Sequence, residues 1–144
     1  MLNRFGHLRR DERGMSFVFV GVGFTAFMAA TTLAIDVGML MTARSQAQTA
    51  ADSGALAGAV ALAFNNSVDR TASGPAVQSA LNTAQATANQ VMSAPVSVTP
   101  GDVTFPADPV TGASTRVRVQ VYRSAERGNP VSTLIAGLFG TTTP

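Results

Sequence analysis

Among 144 residues there is no cysteine, no lysine and one histidine, His7. Without cysteine the chain has no disulfide staples and no thiolate metal sites, although its compartment does not follow from that. A single histidine starves metal sites and histidine-based catalysis of ligands before any motif is considered. All ten basic residues are arginine, so no phosphate loop ending in Gly-Lys-Ser/Thr exists. Only 12% of residues are charged, which is low for a soluble domain. A formal charge of +2 makes no dense basic patch for nucleic acid. The eight acidic residues are scattered, with Asp11-Glu12 the one adjacent pair. Serines are plentiful, but no G-x-S-x-G elbow occurs. The residues therefore predict no enzyme, no cofactor, no metal, no nucleic acid and no small-molecule substrate.

What the chain does have is a long apolar run. Met15 to Ile35 is 21 residues without a charge, closed by Arg13 on one side and Asp36 on the other. As a helix it would cover about 30 Å, the thickness of a bilayer's hydrocarbon core, with every backbone group satisfied internally. Arg4, Arg9, Arg10 and Arg13 precede it, and Arg44 is the one basic residue in the 30 positions that follow. That asymmetry predicts an N-terminus in the cytoplasm and a C-terminal portion sent outward. A cleavable secretory signal is the rival reading, given small residues such as Ala29, Ala30 and Ala34. Against it, the run is longer than a usual signal core and lacks a clean A-x-A site.

Beyond Asp36 nothing stops the helix. Val37 to Phe64 contains no proline and is rich in alanine, leucine, methionine and glutamine, which predicts one helix continuing out of the bilayer. Ala43, Ala47, Ala51, Ala55 and Ala59 recur every four residues, and Gly54 with Gly58 forms a G-x-x-x-G pair. Ala47, Ala51, Gly54, Ala55, Gly58 and Ala59 are the candidate helix-packing residues, a flat stripe for a close neighbour. That neighbour is either the chain's own head or another molecule. Asp36 and Asp52 each punctuate an apolar stretch. Asp36 reads as the interfacial end of the span, and Asp52 as solvated or paired with a neighbouring subunit.

Asn65-Asn66-Ser67 predicts a turn. Ser73-Gly74-Pro75 then opens a second helix, with Val77, Ala80, Leu81, Ala84, Ala88 and Val91 on one apolar face, and Ala94-Pro95 ends it. From there the period changes to two. Val96 and Val98, then Val103 and Phe105, alternate around a Pro100-Gly101 turn. Thr115 to Arg123 predicts the clearest strand, with Val117, Val119 and Val121 on one side and Arg116, Arg118 and Gln120 on the wet side. Val131 to Phe139 reads as a short apolar helix. So small a sheet needs the long helix, a partner or further chain to complete its core.

Three stretches carry a family resemblance: Arg10-Asp11-Glu12-Arg13-Gly14, then Leu33-Ala34-Ile35-Asp36-Val37-Gly38, then Gln48 to Ala59 (Q-T-A-A-D-S-G-A-L-A-G-A). Residues 9–62 resemble the N-terminal region of TadE/TadG-like proteins of the tight-adherence machinery, which builds Flp pili, a branch of the type IV pilus systems. More weakly, Val117-Arg118-Val119, Asn129-Pro130 and Leu134 to Gly140 look like a later segment of such proteins. The resemblance implies a membrane-anchored, outward-facing component of pilus assembly that touches lipid and either other pilus-assembly proteins or its own copies. It also makes Asp36 and Asp52 family-motif acids. Pseudopilin-type relatives are cut after a glycine, and Gly14 stands where such a cut would fall. The glutamate usual five residues on is replaced by Phe19, so a retained anchor is preferred.

The expected fold is thus α+β and membrane-anchored. It divides into a cytoplasmic basic tail (1–14), a transmembrane helix (15–35), a periplasmic helical stalk (36–64) and a small head (65–144). The head comprises a second helix, a small antiparallel sheet and a short C-terminal helix. The expected location is the bacterial inner membrane, crossed once. A pilin-like filament subunit processed after Gly14, and a secreted binding module behind a cleaved signal, are the alternatives.

Overall fold

The computed structural model describes residues 12–65, 68–92 and 95–134. Its dominant element is α1, a 54-residue helix over Glu12–Asn65. No proline interrupts it, and most of its hydroxyls bond within the helix. Thr25, Thr31, Thr32 and Thr42 each donate to the carbonyl oxygen four residues back, so their polar atoms are satisfied inside the helix. The first half of α1 buries almost nothing: Phe17 is 80% exposed, and Phe19, Phe24 and Phe27 are each more than 60% exposed. This part of the helix is long and apolar enough to cross a membrane.

The second half of α1 has a neighbour. Helix α2 spans Pro75–Val91, with Gly74 as its N-cap and Pro75 in the first turn, where its missing N–H costs nothing. Gly54 lies against Ala80 and Ala84, and Gly58 against Ala76 and Ala80. As α1 rises α2 descends, so the pair is antiparallel. The buried face of α2 is Ala76, Val77, Ala80, Ala84 and Ala88, a three-and-four spacing. Leu81 packs at its edge, while Val91 is exposed.

The remaining chain lays an irregular cap on this hairpin. Strand β1 is Val103–Thr104 and β2 is Arg118–Val119, antiparallel, with Val103 opposite Val119. The core gathers Ala50 and the α2 alanines with Met92, Val96, Val98, Val103 and Val119. The long strand expected over Thr115 to Arg123 is therefore reduced to two residues. Its alternation survives in the burial, with Val117, Val119 and Val121 turned toward the core, but β1 offers it only two residues to pair with. Val96 and Val98 are buried in unladdered chain, and Pro100–Asp102 is a single 3-10 turn.

The cap is held by polar anchors more than by the ladder. Asp102, buried, accepts the backbone N–H and hydroxyl of Thr99 and both guanidinium arms of Arg127 at 2.6 and 3.2 Å. Asn129, also buried, accepts Ser124 N–H and donates to the carbonyls of Tyr122 and Pro95. Between the strands, Asp108 accepts Val110 and Thr111 N–H and pairs with Arg116 at 2.7 Å, while Gly112 takes the left-handed backbone the loop requires (φ 69°). Val131 to Thr133 carry no regular structure, Leu134 is helical, and residues 135–139 of the expected terminal helix lie outside the described residues. So do His7, most of the basic tail, and the Asn66-Ser67 and Ala94 positions.

Candidate functional site

Two places on α1 position the residues that the sequence singles out. The first is the crossing with α2. A Cβ on Gly54 would stand 2.6 Å from the Ala84 Cβ and 2.7 Å from the Ala80 carbonyl oxygen. On Gly58 it would stand 3.0 Å from both the Ala80 Cβ and a Val117 methyl. Ser79 adds a hydroxyl bond to the Ala57 carbonyl at 3.3 Å. Here the helix backbones approach as closely as small residues permit. The line of α1 facing α2 and the cap runs Ala43, Ala47, Ala50, Gly54, Gly58, Ala61. Ala51 and Ala55 flank that line, half-buried, and Ala59 is exposed. The centre of the small-residue stripe is thus occupied by the chain's own second helix.

The second place is Asp36. It is 4% exposed, and its Oδ1 accepts the backbone N–H of Leu134 at 2.7 Å, a bond between residues 98 positions apart. Residues 131–134 therefore run along α1 down to the edge of the apolar half. Sequence reasoning placed Asp36 at the end of the span and missed this tie; no local pattern signals it. Asp52, the other motif acid, is exposed and accepts Gln48 Nε2 on the same helix at 2.8 Å. Gly14 lies exposed in the first turns of α1, and a Cβ there would meet nothing.

Between these places a cleft of about 480 Å³ opens along α1, walled by Val91 at the end of α2 and by Arg123 and Val131 of the cap. Arg123 donates through Nε to the Asn129 carbonyl and through Nη2 to the Pro130 carbonyl. Among the described residues the ion pairs are Arg116–Asp108 and Arg127–Asp102, and Arg123 is in neither. Other arginines are occupied differently: Arg70 lies 5.5 Å from the Phe105 ring centre and bonds the Ser114 carbonyl, and Arg127 lies 5.2 Å over Tyr122.

Electrostatically the cap is ordinary. Burial pushes the Asp102 carboxyl up, but the hydrogen bonds from Thr99 and Arg127 outweigh it and hold the group below the usual carboxylate range. The N–H groups of Val110 and Thr111 hold Asp108 low in the same way. Among the described residues no three His, Cys, Asp or Glu side chains gather as metal ligands would.

Residues 14–61 match the model of the Tad family, described as putative Flp pilus-assembly TadE/G-like. The match begins and ends within α1, covers both Asp36 and Asp52, and stops short of α2. No curated protein matches the chain, and no solved structure does.

Proposed function

We propose that this chain is a non-enzymatic, membrane-anchored component of Flp (Tad) pilus assembly, working through protein contacts. The observation that carries the reading is the coincidence of the Tad match with one unbroken helix that exposes large apolar side chains from Met15 to Ile35. Exposed in water, that surface far exceeds the apolar patch a soluble monomer carries; in lipid it is the ordinary outer face of a span. Arg4, Arg9, Arg10 and Arg13 supply the orientation, with the N-terminus in the cytoplasm of a bacterial inner membrane and the head outside. The anchor occupies 15–35, α1 continues beyond it, and the head from residue 65 onward folds back on that continuation. Because α2 occupies Gly54 and Gly58, contacts with other pilus proteins fall to the surfaces α2 leaves open. Those include the exposed row Leu56, Val60 and Phe64.

The test is genetic and biochemical. Deleting the chain should abolish surface Flp filaments, and sheared wild-type filaments should lack it as a major component. If it is their main subunit, the chain is a pilin; unchanged piliation in the deletion strain removes the pilus reading altogether.

A further inference from the structure

The cleft beside Arg123 has the chemistry of a lipid seat. It follows α1 from Ile35 to Gln46, a rise of about 16 Å, and so begins in the last turn of the uncharged run and ends among polar residues. Ile35, Met39 and Ala43 on α1 and Val131 opposite give it apolar surface, beside the polar Thr42, Gln46 and Ser132. Toward the head, Arg123 lines it. That guanidinium rests on two backbone carbonyls and, among the described residues, faces no carboxylate. A partly enclosed cation without a counter-ion is a natural partner for phosphate, with which it forms charge-assisted bonds. Gly38 also lines the cleft, and a Cβ there would meet nothing, so the floor is open space.

We propose that this cleft holds one phospholipid of the outer leaflet, its phosphate on Arg123 and its acyl chains running down the exposed face of α1 past Ile35. Resting on the anchored reading above, the site would seat the head on the membrane surface. The cleft volume suits the headgroup and glycerol region, and the chains remain in the bilayer. Asp36 is not among the residues that line the cleft, and its Oδ1 accepts the Leu134 N–H. Apolar side chains on both walls together with one cation favour a molecule with both an acyl chain and a phosphate, rather than either alone.

The experiment is native mass spectrometry of the full chain, purified in detergent and titrated with dioleoyl phosphatidylglycerol, with inorganic phosphate and dioleoylglycerol as separate arms. The expected result is one retained phospholipid, with neither inorganic phosphate nor diacylglycerol retained. Arg123→Gln should weaken retention about tenfold, the worth of a charge-assisted bond. Gly38→Leu should weaken it similarly by filling the floor while leaving Arg123 in place. Arg118→Gln, which removes an equal charge from the exposed residue of β2, should not. Wild-type retention in both Arg123→Gln and Gly38→Leu overturns the seat, as does equal binding of phosphate or diacylglycerol alone. Recovery of the chain from cells without detergent overturns the anchor and the seat with it, whereas a membrane-bound chain that fails the titration overturns the seat alone.

Discussion

Gly54 is where the hairpin is most sensitive. In Gly54→Ala the new Cβ would lie 2.6 Å from the Ala84 Cβ and 2.7 Å from the Ala80 carbonyl oxygen. Both are short-tethered or backbone atoms that cannot swing aside, so α2 must shift as a body, an overpacking cost near 3 kcal/mol. Replacing glycine by alanine in a helix returns about 1 kcal/mol. The net expectation is a loss of roughly 2 kcal/mol, or about thirtyfold more open head. Gly58→Ala makes the contrast. There the nearest atoms, the Ala80 Cβ and a Val117 methyl, lie at 3.0 Å, so a shift of a few tenths of an ångström relieves the contact. A cost near 1 kcal/mol then cancels the helix gain, and stability should barely change. Limited trypsin digestion in detergent reads the difference, since cleavage tracks the open population and every cut falls after an arginine. Thirtyfold faster cutting after Arg70 in Gly54→Ala, with Gly58→Ala near wild type, is the expected outcome. Equal rates in the two variants would refute the claim that α1 and α2 meet closest at Gly54.

Three further outcomes follow from the polar anchors. Asp36→Ala should release the 131–134 segment at a cost of about 2 kcal/mol, while Asp36→Asn, which keeps an acceptor for Leu134 N–H, should cost less; tryptic cutting after Arg123 and Arg127 separates them. Arg127→Ala leaves Asp102 buried without its bidentate partner and should destabilise the cap by about 2 kcal/mol or more, measured by thermal unfolding of the head in detergent. Asp102 is held below its unfolded value, so its stabilisation is present above about pH 4 and is lost as pH falls below that. Asp102→Asn should therefore flatten the decline of head stability below about pH 4, and an unchanged acid limb would count against the anchor.

Much of the helical architecture was legible in the sequence, because its signals are local. An uncharged run and the absence of proline define α1, and the spacing from Val77 to Ala88 defines the buried face of α2. Of the stripe expected on α1, Ala47, Gly54 and Gly58 lie on the line facing α2 and the cap, Ala51 and Ala55 flank it, and Ala59 is exposed. Alanines spaced strictly by four drift about 40° per step around a 3.6-residue helix. The row that keeps facing a neighbour mixes threes and fours, as Ala43, Ala47, Ala50, Gly54, Gly58 and Ala61 do. The strand at Thr115 to Arg123 was overread, because alternation reports which side is buried, not how many partners the ladder has. The ties of Asp36 to Leu134, Asp102 to Arg127 and Asn129 to Pro95 join residues from 25 to 98 positions apart, and nothing in the neighbourhood of either partner announces them. That is why an acid at the end of the apolar run was legible as a boundary but not as an anchor for the head.

The central claim is one anchoring helix with the head on the outer side, and the absence of cysteine makes it directly measurable. Single cysteines would be placed at Arg4, Thr25 and Thr111 and treated in spheroplasts with a maleimide that cannot cross the membrane. The account requires Thr111→Cys to label in intact spheroplasts, Arg4→Cys only after lysis, and Thr25→Cys only after denaturation. Labelling of Thr25→Cys in intact or lysed cells, or protection of Thr111→Cys until lysis, would contradict it.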